Sequence, residues 1–345
     1  MVGVNGNVLM VGSIPLADTE AVLGALSNNL DGHLPRYPDG ETGPRSKFIT
    51  WQAFVLGAAE QFTTGTLPPQ SEWGPDGQFP PRIIHLKPNA TGTPVFGPTG
   101  YAAEAIKSYD LFRRFRDNGK IPGSARFQVG LPTPIGVLSV FMEPDGQALA
   151  DGPYTESLMA DLAAISAAVP ATDLCVQWDV PTEISIWEGN TDTSFADPRN
   201  ETVARLVTLM NLVPAGAELG MHICYGDISH QHWKDPDVGV MVAFTNAVRK
   251  KLIHTLDYVH FPVPDDWDTA EHFAGYDDLE LDPETEIFLG LVHAADGVDG
   301  ARRRIDAAGQ ILGSFGVATS CGLGRREPHE IDDILRLHAD IARLG

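Results

Sequence analysis

The interpretation of this chain begins with a short apolar segment in its second half, Gly220-Met221-His222-Ile223-Cys224-Tyr225-Gly226. Apolar residues also dominate the stretch before it, from 213 to 219, and a run of this kind predicts a strand in a hydrophobic interior. Because side chains alternate along a strand, His222 and Cys224 lie on the same face. The sequence therefore brings an imidazole and a thiol close together.

A second thiol follows another apolar run near the C-terminus, in Ala318-Thr319-Ser320-Cys321-Gly322-Leu323-Gly324-Arg325-Arg326. Two thiols and one imidazole form a ligand set that zinc prefers. The alternative is structural, since a single buried cysteine is usually a small core residue and a strand histidine usually a hydrogen-bonded one. The combination of His222, Cys224 and Cys321 favours a metal site.

Composition limits the classes of partner. At 345 residues and 43% hydrophobic content, the chain can bury one large core or two smaller ones. A formal net charge of −22 argues against nucleic acid and anionic membranes, and favours small-molecule partners. The three scattered cysteines do not form a disulfide framework. With neither a signal peptide nor a membrane-spanning segment evident, we expect a cytoplasmic protein, and the oligomeric state stays open.

Strands and helices alternate regularly in the second half of the chain. Predicted strands cover residues 126–131, 174–179, 219–225, 258–262, 287–293 and 316–320, mostly with helices between them. An early strand at 8–14 and an apolar island at 83–86, either a barrel strand or part of a hairpin, bring the number to about eight. The pattern predicts an α/β fold, a single-domain (β/α)8 TIM barrel over residues 1–345, with a doubly wound open sheet as the alternative.

Two regions of the first half depart from this alternation. Residues 63–100 are rich in Pro and Gly, follow a predicted helix at 46–62, and predict an irregular or hairpin insertion. The loop Pro38-Asp39-Gly40-Glu41-Thr42-Gly43-Pro44-Arg45 is polar and punctuated by glycine. Asp39 and Glu41 are therefore candidate substrate-binding groups, although an ordinary turn uses the same residue types.

The barrel prediction has a consequence for the reactive residues. Active sites of such barrels lie at the C-terminal ends of the strands. Seven candidate residues fall at predicted strand ends, namely Ser13, Asp179, His222, Cys224, His260, His293 and Cys321. Cys175 lies inside the apolar part of its strand, so we expect it in the core.

These motifs resemble the zinc site of the cobalamin-independent methionine synthase family, in its catalytic C-terminal barrel, which shares a superfamily with uroporphyrinogen decarboxylase. Beyond His222-Ile223-Cys224-Tyr225 and Ser320-Cys321-Gly322-Leu323-Gly324-Arg325, the matching segments are Val11-Gly12-Ser13-Ile14-Pro15, Gln177-Trp178-Asp179-Val180-Pro181 and Leu291-Val292-His293. The resemblance covers nearly the whole chain. It implies Zn²⁺ held by His222, Cys224 and Cys321, and a zinc-bound substrate thiolate that attacks an alkyl donor.

The resemblance also implies roles for further residues. Asp179 and Ser13 match positions that hold the amino-acid part of the thiol substrate, with Asp179 also catalytic, and His293 matches an acid/base histidine. Glu183 is a second acid in the loop after Asp179. The family's glutamate ligand has no obvious equivalent here, and His260 is the nearest residue able to be the fourth ligand.

The sequence thus predicts a zinc-dependent alkyl or methyl transferase whose partners are a small-molecule thiol and an alkyl donor. An epoxide:thiol transferase or thioether lyase of the same superfamily is the closest alternative. A metal-free enzyme resembling uroporphyrinogen decarboxylase would need arginines at the pocket mouth, for which Arg45, Arg325 and Arg326 are candidates. A zinc-binding protein without turnover is the last alternative.

Overall fold

The computed structural model describes residues 3–66, 82–226 and 232–345. Its centre is an eight-stranded sheet in which every pair of neighbouring strands is parallel. Including a separate two-stranded sheet, the strands are β1 (Gly3–Val8), β2 (Arg36–Pro38), β3 (Phe62–Thr64), β4 (Ile84–Leu86), β5 (Arg126–Pro132), β6 (Leu174–Asp179), β7 (Glu218–His222), β8 (Tyr258–Pro262), β9 (Glu286–Gly290) and β10 (Ser314–Val317).

The strand order of the large sheet is β1-β10-β9-β8-β7-β6-β5-β2. The pair β3–β4 lies outside this sheet. Within the sheet, strands that are consecutive in sequence are neighbours from β5 to β10, β2 pairs with β5, and the last strand, β10, pairs with β1. Backbone hydrogen bonds from Val8 N to His33 O and from Ile14 N to Gly40 O, both 2.8 Å, connect the two ends of the sheet. The chain therefore has a TIM-barrel-like α/β fold, unlike a doubly wound sheet, whose strand order reverses.

Helices follow most of the strands. They are α1 (Thr19–Asn29), α2 (Gln52–Gly57), α3 (Tyr101–Asp117), α4 (Pro134–Phe141), α5 (Pro144–Ala168), α6 (Pro181–Trp187), α7 (Pro198–Met210), α8 (Val238–Arg249), α9 (Ala270–Phe273), α10 (Gly297–Ala308) and α11 (Ile331–Ala342). Side chains of Asp18, Thr133, Asp197 and Asp237 accept hydrogen bonds from free backbone amides and so fix where α1, α4, α7 and α8 begin. No helix in the described ranges is long and apolar enough to cross a membrane.

A buried arginine with its ion-pair partners fills the N-terminal end of the sheet. Arg36 is 5% exposed, forms ion pairs with Glu218 and Glu286, and lies over the ring of Tyr258 at 4.6 Å. Cys175 packs beside Tyr258 in a fully buried cluster, so it is a core residue as its position predicted. With this end filled, open space is left at the C-terminal ends of the strands.

Two predictions about the first half of the chain were wrong, and one strand was missed. The early strand covers Gly3–Val8 rather than residues 8–14, so the Gly12-Ser13 segment belongs to the loop after it. The helix predicted at 46–62 is reduced to α2, because Phe48 has a φ of 54°, a left-handed conformation that a helix cannot continue through. The strand β2 was missed because it has only three residues and ends in proline.

The apolar island belongs to a hairpin-like pair. β4 pairs antiparallel with β3, outside the large sheet, and residues 67–81 between them lie outside the described ranges. The eighth strand of the large sheet is β2. Helix α4 was also not predicted from the sequence. Its last residues line the cavity described below.

Candidate active site

Three side chains of types that can bind a metal ion meet at the C-terminal edge of the sheet. His222 is the last residue of β7, Cys224 follows two positions later, and Cys321 lies four positions after the end of β10. One donor atom from each lies within 4.8 Å of the others, and the two Sγ atoms are 3.4 Å apart. Two sulfurs on a tetrahedral zinc, each about 2.3 Å from the metal, would be roughly 3.8 Å apart. The cluster could therefore hold a metal ion after a small adjustment.

His260 is placed differently from the predicted fourth ligand. Its Nδ1 is 2.7 Å from Nδ1 of His222, and its Nε2 is 3.0 Å from the carbonyl oxygen of Thr319. Two nitrogens bound to one zinc at about 2.0 Å would be roughly 3.3 Å apart, so the 2.7 Å contact has the length of a hydrogen bond. Among the described residues, the cluster that could hold a metal therefore has three members. His260 is hydrogen-bonded to one of them, His222, and is not itself a member.

Burial keeps both histidines neutral. It lowers the pKa of His222 well below its ordinary value, an effect to which the neighbouring His260 adds. Burial also lowers the pKa of His260 to about 3. A neutral imidazole is the form that binds a metal ion.

A cavity of about 310 Å³ opens above the cluster. Its walls include seven candidate residues named from the sequence, which are Ser13, Glu41, Asp179, His222, Cys224, Cys321 and Arg325. Other lining residues are 46–50, Arg82, 139–141, Pro181, Thr182, Ser185, 190–192 and Trp233. Sequence analysis missed 46–50 because it assigned that segment to a helix.

Two carboxylates converge at another point of the cavity wall. Glu41 accepts a 2.5 Å hydrogen bond from the Ser13 hydroxyl, and Asp179 accepts one of 2.9 Å from the Gln177 amide. A Cβ placed on Gly130 would lie 3.0 Å from Glu41 Oε1 and 3.6 Å from Asp179 Oδ2, so both carboxylates reach the same point above this glycine.

The protonation of this pair follows from its surroundings. Burial raises the pKa of Glu41 to about 7, against the lowering effect of the Ser13 hydrogen bond. Burial raises the pKa of Asp179 well above its ordinary value, and the charge of Glu41 raises it further. Two crowded carboxyl groups of this kind favour binding a cation, because a positive charge allows both to ionise.

The structure directs Asp39 away from the cavity. Its carboxylate pairs with Arg45 at 2.9 Å and accepts hydrogen bonds from the Ser108 hydroxyl and the Glu41 amide. Gly40 and Glu41 have φ values of 81° and 47°, so the loop turns sharply between them. Asp39 therefore shapes the loop that presents Glu41, and the substrate-binding role predicted for it is not supported by its position.

Glu183 is also directed away from the cavity. It lies in α6, is 1% exposed, and accepts a hydrogen bond from the hydroxyl of Thr133. In the part of the chain that the structure describes, it does not line the cavity. Burial raises its pKa to about 7, and the substrate-binding role predicted for it lacks the required access.

The buried Glu183 gives a testable dependence of stability on pH. The folded protein keeps a proton that the unfolded chain releases above its ordinary pKa of 4.5, so the free energy of unfolding should fall as the pH rises from 4.5 to about 7. This pKa difference corresponds to about 3 kcal/mol. Glu183→Gln, which stays neutral, should match wild type near pH 4.5 and be more stable near pH 8. Urea unfolding at several pH values measures this, and parallel curves for the two proteins would contradict it.

His293 lies beside the site rather than in the cavity wall. Its Nε2 is 2.8 Å from the carbonyl oxygen of Val263, and among described residues it does not line the cavity. Burial lowers the pKa of His293, and the positive charge of the nearby Arg304 lowers it further. Its predicted acid/base role stays a prediction.

The arginines considered for a decarboxylase do not group together. Arg45 forms an ion pair with Asp39, while Arg325 lines the cavity. Arg326 is not among the described residues that line the cavity. Arg325 Nε is buried and has no hydrogen-bond partner in the described ranges.

No protein-family model matches the chain, and no curated protein matches it. Solved structures do. One is a candidate vitamin B12-independent methionine synthase from Listeria monocytogenes, with a TM-score of 0.53 and 16% identity. Another is a B12-independent methionine synthase from Shewanella sp. W3-18-1 in complex with selenomethionine, with a TM-score of 0.56 and 13% identity. Each match covers 94% of this chain and 86% of the other. At these identities the similarity shows a shared fold.

Proposed function

We propose that this chain is a zinc-dependent transferase that moves an alkyl group, such as methyl, onto a small-molecule thiol. The observation that carries the proposal is the cluster of His222, Cys224 and Cys321 on the wall of a cavity that is also lined by the carboxylates of Glu41 and Asp179. The shared fold with methionine synthase structures supports the same chemistry. The complete (β/α)8 barrel and the insertion near residues 63–100 are part of this proposal.

A zinc ion held by the cluster would lower the pKa of an incoming thiol and make it a thiolate near neutral pH. The protein residues would then orient the substrate. Asp179 and Glu41 would bind its ammonium group, because a cation lets both carboxyl groups ionise. This arrangement favours an amino thiol as the acceptor.

The cavity also offers a place for an anionic group. Lys47 and Arg325 line it, and neither forms an ion pair with the residues described. The Ser13 hydroxyl already donates its hydrogen to Glu41, so it has no second hydrogen for a carboxylate. We therefore assign the carboxylate of an amino thiol, or an anionic group of the alkyl donor, to Arg325 and Lys47.

The reaction balances without a redox partner. The thiol proton leaves to solvent when the substrate binds. The sulfur then forms a bond to the alkyl carbon while the bond from that carbon to the leaving atom breaks, and the leaving atom keeps the electron pair. A decarboxylase is less well supported, because only Arg325 of its three candidate arginines lines the cavity within the described residues.

Metal content and product analysis test the proposal together. Protein purified without chelator should contain about one equivalent of zinc, as expected for one three-residue site. Incubation with amino thiols and methyl or epoxide donors, followed by mass spectrometry, should yield a thioether. A metal-free wild-type protein would contradict the zinc site, and zinc-loaded protein without turnover on any donor would indicate a binding protein.

A further inference from the structure

We propose that His260 is a positioning residue that fixes the proton of His222 and links that histidine to the turn carrying Cys321. This inference rests on the proposed metal site. Its basis is a continuous hydrogen-bonded chain from His222 through His260 to the Thr319 carbonyl, with N···N and N···O distances of 2.7 and 3.0 Å.

The hydrogen positions follow from one fixed acceptor. The Thr319 carbonyl can only accept, so Nε2 of His260 must carry the hydrogen. A neutral imidazole carries one N–H, which leaves Nδ1 of His260 as an acceptor. The hydrogen in the 2.7 Å contact therefore belongs to Nδ1 of His222. The remaining nitrogen of His222, Nε2, is left with its lone pair available to a metal.

Burial makes this assignment strict. His222 is 3% exposed and His260 is fully buried. A second hydrogen on His260 would sit on Nδ1 and place two N–H donors against each other, and moving the hydrogen of His222 to Nε2 would bring two lone pairs together. Leaving buried polar groups unpaired in this way costs free energy. The network thus holds His222 in one tautomer, with the hydrogen on Nδ1 and the lone pair on Nε2.

The same network links two distant parts of the chain. His222 and His260 are directly opposite each other on the neighbouring strands β7 and β8. Thr319, which accepts from His260, also donates its hydroxyl hydrogen to the Cys321 carbonyl at 2.7 Å. His260 therefore bonds both to one candidate ligand and to the turn that holds another. Histidine ligands generally donate their second N–H to a fixed acceptor, and here that acceptor is another histidine.

Two substitutions separate this role from its alternatives. His260→Leu removes the acceptor and leaves Nδ1 of His222 unpaired. His260→Gln offers an amide that can accept from His222 and donate to Thr319. We expect zinc affinity, measured by chelator competition, to fall about 10- to 100-fold in the leucine variant and to recover to within a few-fold of wild type in the glutamine variant. Thermal melting checks that both variants fold.

Cobalt substitution distinguishes a positioning residue from a ligand. The cobalt spectrum of His260→Leu should keep the wild-type thiolate-to-cobalt bands and coordination number, at weaker affinity. Loss of one ligand, or wild-type affinity in the leucine variant, would overturn the inference.

The proton assignment can be checked in metal-free protein. Nitrogen-15 NMR of the histidine rings should show hydrogen on Nδ1 of His222 and on Nε2 of His260. The reverse tautomers would overturn the inference even if zinc binds. The predicted tautomers in a wild-type protein that binds no zinc would support the hydrogen-bonded chain and reject the proposed function.

Discussion

Replacing Cys224 or Cys321 with serine is expected to reduce bound zinc from about one equivalent to below a tenth, because a site with only three protein ligands cannot spare one. A serine hydroxyl is a poor ligand at neutral pH, since it remains protonated. Alkyl transfer should fall by at least about a thousandfold, as the thiol loses the metal that lowers its pKa. Metal analysis and initial rates on the same preparations measure both effects.

Cys175→Ser provides the matched control. This cysteine is fully buried at the other end of the sheet, beside the Tyr258 hydroxyl, which a serine can also contact. The variant makes the same chemical change but should keep its zinc and its rate. If Cys175→Ser lost as much zinc as Cys224→Ser or Cys321→Ser, the loss would reflect general destabilisation and the assignment of the site would fail.

Replacing Asp179 with asparagine should raise the KM for an amino thiol by about 100-fold, because the ammonium group loses a charged partner in a buried position. Zinc content should not change, since Asp179 is outside the cluster of His222, Cys224 and Cys321 proposed to hold zinc. The change in kcat should be smaller than the change in KM, as the lost contact binds substrate before and during the reaction. Steady-state kinetics with varied thiol concentration tests this.

The sharpest control for Asp179→Asn is a substrate without the amino group. With such a thiol, the variant should match wild type, because there is no cation to bind and burial favours a neutral Asp179, the form that asparagine resembles. Glu41→Gln should resemble Asp179→Asn with the amino thiol, since both carboxylates reach the same point. An equal loss with both thiols would show that Asp179 acts on the metal or the reacting sulfur instead.

The regular part of the fold could be predicted because its signal is local. Strands β6 and β8 are found at the predicted residues, since both are short, mostly apolar runs in the sequence. The short strand β2 and the break at Phe48 could not be found in this way. β2 is held by backbone pairing with β5, and the break depends on one left-handed residue, neither of which leaves a periodic pattern.

The candidate site shows the same division. Strand alternation and barrel geometry predicted the cluster of His222, Cys224 and Cys321, and the structure brings these residues together. The strand predicted at 219–225 ends at His222, however, so Cys224 lies in the loop that follows β7. The directions of Asp39, Glu183 and His260 do not follow from spacing. Asp39 contacts Arg45 and Ser108, Glu183 contacts Thr133, and His260 contacts the Thr319 carbonyl. No sequence pattern marks these residues as partners.

Cys224 and Cys321 are 97 positions apart, and the strand before Cys321 pairs with the first strand of the chain. A metal ion at this point would act as a cross-link that forms only after β10 has closed against β1. Metal retention would then report that folding is complete, because an intermediate lacking the last strand has only His222 and Cys224 to offer. During synthesis on the ribosome, the protein would acquire zinc late, after most of its hydrophobic core had formed.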